Sequence, residues 1–304
     1  MGNFPIGLIG AEADLTYPYE HIGEGGDVLA SMVSGKHAFA KVLKKATRPM
    51  LIVGTGALVR DDGAQILAAA RKIADDTGMV GTGGSGDDQK SEWNGFNVLS
   101  TAAARVGGME LGFLPGSDGA DTRTILERCA SGAIKVLYLL GADECDTAKM
   151  GDAFVVYQGH HGDRGAHRAD VILPGAAYTE KAATYVNTEG RVQRTQMAVQ
   201  PPGNAREDWT IIRALSERLG KTVPFDDVGA VRAHMAAINP VFETLDRVTP
   251  AQWTVFGSDG AIGAGAFISN VDNFYMTDPI SRVSVTMANC VAAASGEKGT
   301  GTDG

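Results

Sequence analysis

One segment dictates the layering of this chain. Residues 50–53 are an apolar run that follows Arg48-Pro49, Gly54-Thr55-Gly56 turn the chain, and residues 61–77 repeat apolar side chains at helical spacing. The inward face is Ile66, Leu67, Ala70, Ile73 and Ala74, with Asp61 or Asp62 available as cap and Gly78 as stop. Strand, glycine turn and amphipathic helix make the unit that builds parallel sheets. Further short apolar runs at 134–140, 153–157 and 170–173 have the length of strands buried on both faces. The expected fold is therefore α/β, a mostly parallel, doubly wound sheet built from 50–53, 136–140, 153–157 and 170–173, with a C-terminal helical extension.

Other segments fill in around that frame. Residues 4–10 read as a buried strand, 11–36 as a long loop with the cluster Gly23, Gly25 and Gly26, and 37–45 as a short helix. The stretch 81–90 reads as a flexible loop, and 97–106 as a helix ended by Gly107-Gly108. Helices are expected at 122–131, 204–220, 227–238 and 280–294. That at 204–220 has Asn204 as cap, Glu207 in the capping-box position and Ile211, Ile212, Leu215 and Leu219 inward. The expected organisation is residues 1–36 as the end of a preceding lobe and loop, 37–220 as the α/β domain, 221–294 as a helical or irregular extension, and 295–304 as a disordered tail. A strand opening almost at the first residue suggests the later part of a longer protein.

Composition narrows the function. The 304 residues carry a formal net charge of -9, which disfavours nucleic acid or an anionic membrane surface as partner. No apolar run approaches the roughly 18–20 residues of a membrane span, and the N-terminus has no basic start and long apolar stretch of a secretory signal. Cys129, Cys145 and Cys290 are scattered, whereas an iron–sulfur cluster takes about four thiolates. They read as packed, reduced thiols.

Two places invite chemistry. Gly54 and Gly56 lie where an open parallel sheet places ligand loops, but Val59 occupies the third glycine position of a dinucleotide fingerprint, so a structural turn is favoured. The loop after 153–157 gathers His160, His161, Asp163, Arg164, His167 and Arg168. Imidazoles bind metals, yet the spacing lacks the cysteine partners of structural zinc and the arginines would repel a cation. The loop is expected at the carboxyl edge of the sheet, with Arg164 or Arg168 paired to a carboxylate, Glu180 and Glu189 being nearest in sequence. Asp163, Glu180 and Glu189 are the possible acid–base groups, without a nucleophile beside them at an informative spacing. Residues 187–191 read as a polar turn with Arg191 on a carboxylate.

The order of residues 159–194 carries a resemblance. A His/Arg loop leads into Ala169-Asp170-Val171-Ile172-Leu173-Pro174, then Glu180-Lys181, then Asn187-Thr188-Glu189-Gly190-Arg191. This resembles the cofactor domain of the molybdopterin oxidoreductase superfamily. With Gly159-His160-His161-Gly162 in front, it resembles one branch, the large iron–sulfur subunit of the NADH:quinone oxidoreductase, respiratory complex I. Residues 3–10, 14–17, 48–62, 135–143, 205–216 and the Asp272-Asn273-Phe274-Tyr275-Met276-Thr277-Asp278-Pro279-Ile280-Ser281-Arg282 signature are similar as well.

The resemblance implies a non-catalytic scaffold in an enzyme that passes electrons from NADH through clusters to quinone and pumps protons. It also implies that the 2Fe–2S and 4Fe–4S clusters sit in an N-terminal part with no counterpart here, so this chain holds no cofactor or metal. The implied partners are that N-terminal half and other hydrophilic-arm subunits, the NADH-binding one included. The implied location is peripheral, on the cytoplasmic face of a bacterial inner membrane or the matrix side in mitochondria. Gly54, Gly56, His160, His161, Arg164, His167 and Arg168 would then be a relic cleft. The alternatives are a fragment of a pterin-dependent or nucleotide-binding oxidoreductase, and an independent binding module.

Overall fold

The computed structural model describes residues 4–81, 93–115, 119–162, 164–271 and 273–295. The chain forms two compact units, one of Met1–Ala103 with Thr249–Asp272, the other of Ala104–Val248 with Asn273–Gly304. Of the segment 221–294 read as a helical or irregular extension, residues 249–272 belong to the first unit.

In the first unit, β1 (Gly7–Ile9) and β2 (Glu20–Gly23) pair in parallel. They are followed by α1 (Gly26–Val33) and α2 (Ala38–Lys45). The loop expected at 11–36 thus contains a strand and a helix. Its glycines serve close packing: a Cβ on Gly25 would lie 2.4 Å from the Ala264 carbonyl, and one on Gly26 2.3 Å from that of Gly263. The buried strand expected at 4–10 shortens to three half-buried residues, with Phe4 exposed.

Next come β3 (Leu51–Gly54), the single turn α3 (Thr55–Leu58), α4 (Gly63–Thr77) and β4 (Phe96–Leu99). Gly78 ends α4 in the left-handed region, φ 65°. Ile66, Ala70, Ile73 and Ala74 are buried as the periodicity requires. The helix expected at 97–106 is instead β4, whose Phe96–Leu99 pairs residue for residue with Leu51–Gly54. Tertiary pairing overrides local preference there. It also overturns the single-sheet expectation, because β3 pairs with β4 in a two-stranded sheet of its own.

The core of this unit joins Leu29, Met32, Phe39, Ile66, Ile73 and Met79, and receives Trp253, Ile262 and Phe267 from the returning segment. That segment lies along α4: the Trp253 indole donates to Asp75 (2.6 Å) and Arg71 donates to the Phe256 carbonyl (3.1 Å). Gly257, at φ +78°, sits so close that a Cβ would be 2.5 Å from the Ala68 nitrogen.

The second unit begins with α5 (Arg105–Glu110), which contains Gly107-Gly108, and α6 (Thr122–Ala130), capped by Asp121. β5 (Val136–Leu140), β6 (Phe154–Gly159), α7 (Arg164–Arg168) and β7 (Val171–Pro174) follow. The three strands form a parallel sheet in the order β5-β6-β7. One face packs Leu139, Val155 and Tyr157 onto Leu126 and Met150. β8 (Thr184–Val186) and β9 (Val192–Arg194) make an antiparallel pair, with Val186, Val192 and Phe242 as a small core.

The helix expected at 204–220 starts later, as α8 (Asp208–Arg218). The Asn204–Glu207 capping box does not form, because the backbone of Ala205 and Arg206 is used otherwise. Arg206 donates to Pro174 O (3.1 Å) and accepts from Ala176 N (2.8 Å), extending the end of β7. Ile211 and Leu215 are half-buried, while Ile212 and Leu219 are exposed. α9 (Val228–Ile238) is capped by Asp227 and ends at Asn239-Pro240. The helix expected at 280–294 is split into α10 (Pro279–Arg282), held by an Asp278–Ser281 capping box, and α11 (Val285–Ser295). Most of the 81–90 loop, Asp163, Asp272 and the tail beyond 295 lie outside the described residues.

Candidate functional site

The first unit places Gly54 at the end of β3 and Gly56 inside α3, the position where a ligand loop is expected. The chain itself fills the space beside Gly56. A Cβ there would lie 2.7 Å from Ile268 O and 3.3 Å from Asn270 N, and the Asn270 amide reaches the Thr55 hydroxyl (3.3 Å). A phosphate approaching this turn needs free backbone amides and room. The residues present do not fit a dinucleotide at Gly56.

The polar chemistry collects in the second unit, at the carboxyl ends of β5 and β6. Asp143 and Gln158 are the buried polar or charged residues among those described, and both are here. Gln158 is the last but one residue of β6. Its carbonyl oxygen accepts from the Tyr138 hydroxyl on β5, and its amide donates to Asp208 Oδ1 (2.9 Å) at the start of α8. The other Asp208 oxygen is paired with Lys181. The Tyr157 hydroxyl lies 2.9 Å from both Asp143 Oδ2 and the His161 carbonyl, with one proton to give between them. Asp143 Oδ1 is buried without a hydrogen-bond partner. Gly165 is required beside it, since a Cβ would lie 2.8 Å from Ala142 O and 3.1 Å from Asp143 Oδ1.

His160 and His161 leave β6 directly into this cluster, at the carboxyl edge as expected, and face each other through their Nδ1 atoms at 2.9 Å. Partial burial, then His161 and Lys181, hold the His160 pKa below its ordinary value, against the opposing pull of Asp208 and Asp143. Burial, reinforced by the Asp208 charge, raises the Tyr138 phenol. Burial followed by the Glu144 and Asp143 charges raises the Cys145 thiol, the reverse of what a reactive cysteine needs.

Arg168 pairs with a carboxylate, as expected of Arg164 or Arg168, but the partner is neither Glu180 nor Glu189. Arg168 lies 3.4 Å from Asp170 and donates to the carbonyls of Gly151 and Ala153 (2.9 Å each). Asp170 also accepts from Val155 N (2.7 Å), so the pair ties α7 to β6. Glu180 instead accepts from Ala177 N (2.9 Å), and Glu189 pairs with Arg191 (3.0 Å) in the expected polar turn, where Asn187 accepts from the amides of Glu189 and Arg191. Glu180 and Glu189 are thus not the partners of Arg168. Arg164 opens α7, and His167 is exposed in its last turn.

Sequence reasoning missed Tyr138, Asp143, Tyr157, Gln158 and Asp208. Two signals were present: a glutamine ending an otherwise apolar strand, and an aspartate three residues past another. The cluster contains an amide, two phenols, the Asp143 carboxylate, an ion pair and two imidazoles, but among the described residues no serine, threonine or cysteine held by a base. Among the described residues, no three His, Cys, Asp or Glu side chains converge as a metal site. Cys129, Cys145 and Cys290 are free.

Parallel βα units with a polar cluster at the carboxyl edge define an open α/β fold of the kind that carries its sites at the strand ends. Residues 1–218 match the family model for molybdopterin oxidoreductase, and the chain belongs to that family. Residues 247–290 match a second model, which describes the C-terminal region of one NADH-ubiquinone oxidoreductase subunit. The chain is 42% identical over 294 residues to the NADH dehydrogenase [ubiquinone] iron-sulfur protein 1 of Solanum tuberosum, covering 95% of this chain and 37% of that protein. It is 43% identical to the NADH-ubiquinone oxidoreductase 78 kDa subunit of Neurospora crassa, covering 95% and 38%. The 75 kDa subunit of Reclinomonas americana is 40% identical, covering 95% and 40%. The chain thus spans about two-fifths of the length of these relatives. No helix among the described residues is long and apolar enough to cross a membrane.

Proposed function

We propose that this chain is a structural portion of a complex I-type NADH:quinone oxidoreductase, bearing no cluster and performing no chemistry of its own. It supports an electron path whose 2Fe–2S and 4Fe–4S clusters lie in polypeptide outside it. Its partners are that polypeptide and other hydrophilic-arm subunits, including the one that binds NADH. Its place is the peripheral arm, on the cytoplasmic face of a bacterial membrane or the matrix side in mitochondria. The observation that carries this reading is the 40–43% identity, across 95% of the chain, to proteins named as subunits of that enzyme. The polar cluster agrees with it, because apart from Asp143 Oδ1 its groups are spent mostly on one another.

The test is affinity capture of the tagged chain from a mild detergent extract of membranes. Recovery of an NADH-oxidising assembly supports the proposal, and recovery of the chain alone overturns it. The arginines separate scaffold from catalyst. Arg168→Ala removes the tie between α7 and β6 and is expected to lower the amount of assembled enzyme with turnover per complex unchanged. Normal assembly with turnover abolished would place chemistry in this loop.

A further inference from the structure

The two faces of the β5–β6–β7 sheet are unequal. One is closed over β5 and β6, with Leu139 at 4% exposure, Val155 at 0% and Tyr157 at 2%, and leaves Ile172 of the edge strand β7 open. The other carries the alternate residues. Val136 sits beside Phe154, and Val156 beside Val171, so an apolar strip crosses all three strands at their amino-terminal ends. Val136 is 61% exposed, Phe154 47% and Val171 39%. At the carboxyl end of β6 this face is occupied: Gln158 accepts from Tyr138 and donates to Asp208 at the start of α8. Leu140, at the end of β5, is 51% exposed, so the cover on this face is partial.

Parallel sheets are covered on both faces, because crossover helices lie on each side and leave the strands apolar throughout. Residues of β-branched and aromatic type facing water on adjacent strands mark a surface that docks something. Of the possible occupants, a second copy is disfavoured by a formal net charge of -9 on each chain. The relatives carry about three-fifths of their length outside the stretch that matches this chain. We propose that the strip formed by Val136, Phe154, Val156 and Val171 seats the apolar face of an amphipathic helix from polypeptide of that kind. The inference rests on the reading of the chain as part of a larger subunit and adds to it the surface by which it is joined.

The experiment replaces the matching stretch of the Neurospora crassa 78 kDa subunit with this chain and introduces Val136→Cys or Phe154→Cys. Maleimide labelling is followed residue by residue by mass spectrometry, in the isolated chain and in the chimeric subunit. Leu219→Cys, at the exposed end of α8, reports general crowding. Labelling at 136 and 154 is expected to slow at least ten-fold in the chimera, with 219 changing much less. Unchanged labelling in a chimera that assembles and oxidises NADH overturns the docking face while leaving the proposed function standing. Protection in a chimera that does not assemble supports the docking face and counts against the proposed function. Protection already present in the isolated chain and lost on dilution shows a second copy as occupant, and overturns the proposal. Should the chimera fail to fold, the same cysteines go into the aligned positions of the unmodified Neurospora subunit. Labelling there as fast as in the urea-unfolded subunit overturns the proposal, and protection supports it.

Discussion

The two units solve the same packing problem with different materials. In the first, the buried residues among those described are apolar or glycine, and distant segments are joined by apolar packing, by side-chain bonds to backbone and by backbone brought close to backbone at Gly25, Gly26, Gly56 and Gly257. In the second, the sheet ends in a hydrogen-bonded chain running from Tyr138 through Gln158 and Asp208 to Lys181. Close backbone contact tolerates almost no added volume. A buried polar chain tolerates volume better than the loss of one partner, since the remaining group keeps its desolvation cost. The first unit should therefore be sensitive to size and the second to chemistry.

The largest expected effect is at Gly257. Gly257→Ala forces a Cβ against the Ala68 backbone at a positive φ and should destabilise the first unit by about 3 kcal/mol. Hydrogen exchange would show α4 amides opening faster while those of β6 keep their rates. Equal acceleration in both units would remove the contrast.

Asp208→Ala comes next. It strips the Gln158 amide and Lys181 of their shared acceptor, at an expected cost of about 1–3 kcal/mol. Gln158→Leu in the same background should recover part of that loss, which urea denaturation of the single and double variants would reveal. Strict additivity of the two changes would mean that the chain of bonds is not a unit.

Asp62 supplies a smaller, pH-dependent effect in the first unit. The Arg60 guanidinium and the Gly263 amide hold its carboxyl down to about 2, against 3.8 ordinarily. The folded state binds this proton less readily than the unfolded state. Its contribution is therefore complete above roughly pH 4 and is lost as pH falls toward 2. Asp62→Asn should flatten that part of the acid-unfolding curve and cost roughly 1 kcal/mol at pH 7. An unchanged acid limb would assign the acid sensitivity elsewhere.

The smallest effect concerns His160. Its imidazole should titrate below the ordinary 6.5 in an NMR experiment. Lys181→Met, by removing a neighbouring positive charge and freeing Asp208, should move the midpoint upward. A downward shift would contradict the placement of His160 beside that ion pair.

What the sequence disclosed, and what it hid, follows the range of the forces involved. α4 and the strands β5, β6 and β7 were legible because their periodicity and their stops are local. β4 was not: Phe-Asn-Val-Leu becomes a strand only through its pairing with β3, about 45 residues earlier. α1 was hidden by glycines that look like loop residues until residues 263–264 are seen to press on them. At the polar cluster the histidines were visible as a run, while Asp143, Gln158 and Asp208 are meaningless apart. The carboxylate bound by Arg168 was misjudged for a simpler reason: Asp170, two residues away, was counted as part of a strand rather than as a partner.

The return of residues 249–271 to the first unit sets an order on the birth of the molecule. Arg60 bonds to the carbonyls of Gly263, Gly265 and Ala266, and Trp253 to Asp75, across some two hundred residues of chain. A ribosome adding about 5–20 residues per second needs roughly 10–30 s to make the intervening unit. During that interval Leu29, Phe39 and Ile66 wait beneath a missing cover while the strands of the second unit's sheet, complete at Pro174, are being made. The later-made sheet can thus form before the earlier-made core is closed, and that core is the surface a chaperone has most time to find.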